Sequence, residues 1–135
     1  MVREDEKMEN VKLKSSVRTF RDLIVWQKAH LLVLGIYKVT KSFPSEEKFG
    51  LASQLRRSAA SIPTNIVEGY KRKSRKEFLH FLNVGETSLE ETKYHLLLAR
   101  DLGYVEESEF THLSDLCDEV GRMLSGLQRS LPVFN

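Results

Sequence analysis

Apolar residues recur at helical spacing over four stretches of the chain, and no stretch alternates with the two-residue period of a half-buried strand. The pattern is cleanest in the third stretch. Phe78, Leu82, Gly85, Leu89, Thr92, Leu96 and Ala99 follow one another at spacings of four and three. Ser74 and Glu77 open that stretch as a capping-box pair, and Gly103 closes it as a C′ residue. The fourth stretch starts near Glu106 and repeats Phe110, Leu113, Cys117, Val120, Leu124, Leu127 and Leu131. Two long stripes joined by a few residues predict an antiparallel pair of helices. The second stretch runs from about Glu47 to Tyr70, with Leu51, Leu55, Ser58 or Ala59, Ile62 and Ile66 on its inner side. The first runs from about Asp22 to Lys41, with Leu23, Trp26, His30, Val33, Tyr37 and Thr40 on one stripe. The fold expected from these four segments is an all-α, antiparallel up-down-up-down four-helix bundle over residues 18–135. Residues 1–17 carry four cations and four anions with almost no apolar period, and read as a flexible tail.

Two segments depart from a plain bundle. In the first helix Leu31, Leu32, Leu34 and Ile36 are apolar as well as the stripe, so the helix is greasy around most of its circumference. A four-helix bundle needs one inward stripe, and the surplus points to a subunit interface at those four residues. Cover by the N-terminal tail is the alternative. The second helix carries Pro63 inside it, where a missing N–H and a clash cost about 3 kcal/mol. Its small residues Ser58, Ala59, Ala60 and Ser61 would let a neighbouring helix come close beside the kink. Near Pro63 a backbone carbonyl loses its partner, which the nearby Asn65 side chain or a water can supply. Glu68 and Arg72 are spaced for a helical ion pair. The adjacent Arg56 and Arg57 point about 100° apart. A symmetric hairpin puts Arg57 level with residue 88, within reach of Glu86 or Glu90, while Arg56 is left to extend a basic surface.

Composition narrows the class. One cysteine, Cys117, forbids an intrachain disulfide and reads as a small core residue. The longest apolar run, Leu31 to Tyr37, falls far short of the roughly 20 residues of a membrane span, and the first residues lack a signal-peptide core. A cytoplasmic protein with no membrane association is expected. The net charge is only +2, but it is unevenly distributed. Between residues 43 and 76 eight cations face three anions, whereas from Asp101 onward seven anions face Arg122 and Arg129. Lys71, Arg72, Lys73, Arg75 and Lys76 put five cations into six positions. A solvated charge run is the bland reading. A polyanion would relieve their mutual repulsion and release its own counterions.

Signals for catalysis are weak. Glu77-x-x-His80 and Glu109-x-x-His112 have the form of di-iron bundle ligands, but antiparallel pairing sends the two motifs to opposite ends and neither lies on an inward stripe. No metal site is expected from them. The chain has no G-x-S-x-G, no phosphate loop and no H-E-x-x-H. A non-enzymatic protein without a cofactor is the expectation.

Several blocks together resemble a known family. Val25-Trp-Gln-Lys-Ala-His30, Phe43-Pro44, Gln54-Leu-Arg-Arg57, Ser61-Ile-Pro-x-Asn-Ile-x-Glu-Gly69 and Phe78-x-x-Phe81-Leu82 look like the bacterial four-helix-bundle proteins encoded in 23S rRNA intervening sequences. That group is similar in fold to accessory proteins of diversity-generating retroelements. The resemblance covers about residues 20–130, and the block from Ser61 to Gly69 is its most specific part. It implies a cytoplasmic bundle, a homopentamer, and association with nucleic acid, and it carries over no catalytic residue. Arg57, Pro63, Asn65, Glu68, Gly69 and Glu90 are taken as structural residues. Arg56, Lys71, Arg72, Lys73, Arg75 and Lys76 are taken as the candidate phosphate contacts, with RNA as the expected partner. The alternative is a protein-interaction scaffold, or an adaptor of the reverse-transcriptase accessory kind, docking a protein partner with no nucleic-acid binding of its own.

Overall fold

The computed structural model describes residues 17–131, and these form four α-helices: α1 (Ile24–Thr40), α2 (Leu51–Tyr70), α3 (Arg75–Asp101) and α4 (Glu107–Ser130). Among the described residues there is no strand. Each helix runs antiparallel to its neighbours. Ser58 and Ser61 of α2 meet Thr92 and Ser88 of α3. Asn83 and Lys93 of α3 meet Gln128 and Asp118 of α4. Lys28 of α1 meets Glu119 of α4, whereas Gly35 lies against Leu113. The order is therefore up-down-up-down, as expected. The expected tail lies outside the described residues except at its boundary, where Val17 is buried.

The core follows the predicted stripes in three helices. α2 buries Leu51, Leu55, Ser58, Ala59, Ile62 and Ile66. All seven predicted positions of α3 are buried, and α4 buries Leu113, Cys117, Val120 and Leu124. α1 is the exception. Its inward face is Val25, Ala29, Leu32, Ile36 and Val39, one residue round from the expected stripe. Leu32 and Ile36, expected at a subunit interface, are fully buried inside the bundle. With apolar side chains at most positions, periodicity could not choose the face; small Ala29 at the centre of the true one could have been the clue. Leu31 and Leu34 do stay outside, each 52% exposed, beside Ile24 and Tyr37.

Helix ends have local causes. Ser74 caps α3 by accepting the Glu77 N–H at 3.1 Å. α3 stops at Gly103, which has φ of +79°. The Gly103 and Tyr104 N–H groups bond back to the carbonyls of Arg100 and Ala99, a Schellman closure. Glu106 precedes α4 without a side-chain cap bond. α2 begins later than expected: Ser45–Glu47 form a separate 3-10 turn, and Gly50 breaks the path with φ −110° and ψ −115°. The Glu47 carboxylate accepts the Leu51 N–H at 3.1 Å and the Tyr104 hydroxyl at 3.1 Å, tying the α1–α2 connection to the α3–α4 connection.

The most intimate packing is between α2 and α3. Their register differs from a symmetric hairpin by roughly one helical turn, with Asn65 set beside Gly85. Arg57 therefore reaches Glu91 at 3.3 Å rather than Glu86 or Glu90, and Glu90 pairs with Lys93 of its own helix. Both pairs are solvent-exposed and contribute at most about 1 kcal/mol each. Between the helices runs a line of hydroxyls. Thr92 Oγ1 lies 2.9 Å from Ser58 Oγ and 2.9 Å from the Ser88 carbonyl. Ser88 Oγ lies 2.8 Å from Ser61 Oγ, which accepts from Asn65 Nδ2 at 3.0 Å. Asn65 was expected to serve the carbonyl left open by Pro63. Instead it bonds the Ser61 hydroxyl and the Ser61 carbonyl, the latter at 2.8 Å. Thr64 bonds the Ala60 carbonyl in the same way. The buried proline is thus followed by two side chains that brace the turn before it.

Gly69 marks a close approach of α2 to α3. A Cβ there would sit 2.9 Å from Phe78 Cδ1 and 3.2 Å from Phe81 Cβ, whereas a Cβ at Gly126 meets nothing within 4 Å. Gly69→Ala should lower stability by about 1–3 kcal/mol through overpacking. Gly126→Ala should raise it by roughly 0.5–1 kcal/mol by removing helix-interior glycine. Urea denaturation followed by circular dichroism measures both, and equal effects would mean that Gly69 imposes no packing constraint.

Candidate nucleic-acid interface

The turn between α2 and α3 presents its cations unequally. Lys71, Lys73 and Lys76 are exposed, and among the described residues none has a carboxylate at ion-pair distance. Arg72 and Arg75 are half-buried. The Arg72 guanidinium lies over the Phe81 ring, 4.8 Å from its centroid, and pairs with Glu68 at 3.4 Å. The expected Glu68–Arg72 pair is therefore present, and it turns Arg72 partly into a brace for the turn. Phe81, drawn in by Arg72 and pressed against Gly69, holds the start of α3 to the end of α2.

Folding adds cations that linear reading missed. A 3-10 turn, Phe20–Asp22, packs on both α1 and the C-terminal half of the bundle's α2. It carries exposed Arg18 and Arg21 to the end where Lys71–Lys76 lie. Thr19 caps this turn by accepting the Arg21 N–H at 3.2 Å. Asp22 in return accepts the backbone N–H groups of Arg18 at 2.9 Å and Thr19 at 3.0 Å. These backbone bonds hold the Asp22 carboxyl below the usual carboxylate range, and they occupy the one acid of this turn. The Thr19-x-x-Asp22 spacing is a capping-box signal that could have revealed the ordered arm.

Arg56 does not belong to this surface. It sits fifteen residues before Lys71 on the same helix, roughly 22 Å away along the axis. Its Nε donates to Thr40 Oγ1 at 2.8 Å, and its guanidinium lies 4.7 Å from the Tyr37 ring centroid. It is a clasp on the last turn of α1, where a cation complements the exposed carbonyls. Contrary to the expectation from sequence, Arg56 is therefore not part of the basic turn.

The opposite end of the bundle carries both signs of charge, with Lys38, Lys41 and Lys48 exposed beside several acids. Glu46, Asp101, Glu106, Glu107 and Glu109 are exposed there. Antiparallel helices cancel most of one another's dipoles, so side chains set the field, and only the α2–α3 end concentrates a single sign of charge.

Groups with catalytic potential are scattered or sealed. Glu77 and His80 are exposed at the start of α3, and Glu109 and His112 are exposed at the start of α4, at opposite ends. Among the described residues no cluster of His, Cys, Asp and Glu is gathered that could hold a metal ion. Cys117 is completely buried, and burial pushes its thiol up to about 12. Open furrows of about 610 and 680 Å³ flank α4, one toward α1 and one toward α3, and both mix cations with carboxylates. No helix among the described residues is long and apolar enough to cross a membrane.

Comparison with known proteins follows the same outline. A family model described as "23S rRNA-intervening sequence protein" matches residues 21–126. No curated protein matches the chain. Among solved structures, a protein of unknown function from the S23 ribosomal protein family of Bacteroides thetaiotaomicron superposes with a TM-score of 0.74 at 24% identity. The match covers 79% of this chain and all of that one. It shows a shared fold.

The sealed thiol yields a direct test. Because burial disfavours the thiolate, Cys117 in the native protein should resist a thiol-specific chromogenic reagent at pH 8. It should react fully in denaturant, with a native-state rate that follows global unfolding. Rapid labelling without unfolding would show that the thiol is accessible and could act as a nucleophile.

Proposed function

Because the chain belongs to the 23S rRNA-intervening sequence protein family, we propose that it is a non-enzymatic, self-assembling bundle that associates with RNA through its basic end. One observation carries this reading. The polypeptide spends a capped turn and an aromatic brace to gather Arg18, Arg21, Lys71, Lys73 and Lys76 on one end of a bundle whose overall charge is close to neutral. Such a concentration of like charge raises the energy of the free protein. Phosphate backbone lowers it and gains the entropy of released counterions. Phosphate contacts fix position and carry no base information, so binding by this end is largely independent of sequence.

Self-assembly is supported by the outer face of α1. Ile24, Leu31, Leu34 and Tyr37 expose between 41% and 55% of their surface. A face of that kind fits a second copy of the same chain. A homopentamer, the assembly implied by the family resemblance, would repeat the basic end around a ring and raise avidity without new contacts.

Binding to a structured RNA should weaken linearly on a log–log plot against salt, with a slope of several released ions. Reversing Lys71, Lys73 and Lys76 to glutamate should weaken binding at least tenfold and flatten that slope by about one per lost phosphate contact, with helicity unchanged. Unaltered affinity would overturn the RNA reading and favour a protein-docking scaffold. For assembly, Leu31→Glu with Leu34→Glu should convert the oligomer to monomer in sedimentation equilibrium. An unchanged mass would move the interface elsewhere.

A further inference from the structure

The end of the bundle far from the basic turn carries a second group of cations, gathered around a cleft. A cleft of about 270 Å³ opens where α1 ends and α2 begins, and Lys41, Lys48 and Arg56 line it together with the hydroxyl-bearing Thr40 and Ser45. None of its lining residues is acidic, in contrast to the furrows beside α4. Among the described residues Arg56 has no carboxylate at ion-pair distance. Of the exposed acids of this end, Asp101, Glu106, Glu107 and Glu109 lie around the α3–α4 connection, and Glu46, next to Ser45, does not line the cleft. Glu47, the acid nearest the cleft in sequence apart from Glu46, is held by Leu51 and Tyr104.

The Arg56 side chain is fixed before any ligand arrives. Thr40 takes its Nε, the Tyr37 carbonyl lies 3.5 Å from Nη2, and the Tyr37 ring supports its face. These contacts leave donors of the guanidinium fork over for another acceptor. A planar fork held in place, flanked by two exposed lysines, suits the oxygens of a phosphate group.

An aromatic ring lies beside one of the cleft's cations. Phe49 is 88% exposed, more than any other large hydrophobic residue described, and Lys48 Nζ lies 5.4 Å from its centroid. A ring so exposed adds nothing to the core. It offers a flat apolar platform one residue from a cation that lines the cleft. Stacking on such a ring is indifferent to base identity because every base has a π-face.

We propose that this cleft is a nucleotide site, in which Lys41, Lys48 and Arg56 hold the phosphate and Phe49 stacks the base. The ligand is a 5′-nucleotide, either free or as the terminal residue of a nucleic-acid chain. The site lies roughly 22 Å from Lys71 along α2, and it does not rest on the basic-end reading.

The test uses the full chain labelled with nitrogen-15 and titrated with adenosine 5′-monophosphate, adenosine, inorganic phosphate and a 5′-phosphorylated trinucleotide. Adenosine 5′-monophosphate should shift amides of Lys41–Lys48 and Arg56 saturably, and adenosine and phosphate should each bind at least tenfold more weakly. Phe49→Ala should weaken the mononucleotide several-fold and leave phosphate unaffected. Lys41→Gln with Lys48→Gln should weaken both. All three side chains are exposed, so these variants should retain the fold. The Lys71, Lys73 and Lys76 reversal should leave mononucleotide binding intact, which separates this site from the basic end. Tighter binding of the trinucleotide would assign the site to a nucleic-acid terminus, and equal binding would assign it to a free nucleotide. Absence of saturable shifts at these residues, or shifts undiminished by the double lysine variant, would overturn the proposal.

Discussion

The close approach of α2 to α3 governs the geometry of both ends of this molecule. It requires small residues at the contact, and the chain supplies Ser58, Ser61, Gly69, Gly85 and Ser88 there. Close packing of serine and threonine buries hydroxyls, and a buried hydroxyl without a partner is costly. The line from Ser58 through Thr92, Ser88 and Ser61 to Asn65 satisfies them within the interface. The line also fixes register, because sliding either helix by one turn would separate the hydroxyls. Pro63 is tolerated in this setting. It is buried, α2 continues past it, and Thr64 and Asn65 brace the preceding carbonyls.

That register determines what the basic turn looks like. With Gly69 letting Phe78 and Phe81 lie against the end of α2, Arg72 can fold over Phe81 and pair with Glu68. The three lysines then remain as the outward charges. The 3-10 turn before α1 adds two arginines against one acid, Asp22, whose carboxylate accepts backbone N–H groups. Charge accumulates at this end through local hydrogen bonding and packing, in a chain whose total charge is +2.

Adjacent Arg56 and Arg57 illustrate how one helical step separates roles. Arg57 turns toward α3 and meets Glu91 on the surface. Arg56 turns toward α1, clasps its last turn and lines a cleft free of acidic residues. The two guanidinium groups carry the same charge, yet one is screened by a partner and solvent while the other is held rigid beside two lysines. Rigid placement lowers the entropy a ligand contact must overcome.

Much of the bundle was legible in the sequence alone. The stripes of the second, third and fourth helices, the Ser74 cap, the Gly103 stop and the Glu68–Arg72 pair depend on residues within a turn or two of one another, and spacing encodes such contacts directly. The blocks from Val25 to Leu82 also carried the family. The inward face of α1 was not legible, because its apolar residues surround the helix and only the neighbours it meets select Leu32 and Ile36 over Leu31 and Leu34. The partner of Arg57 was misplaced because the stagger between α2 and α3 is set by side-chain interlock across the interface, which no linear count contains. Arg18 and Arg21 joined the basic end, and Arg56 left it, for the same reason. Local spacing fixes which residues share a helix face, but distances between faces arise only when four helices settle against one another.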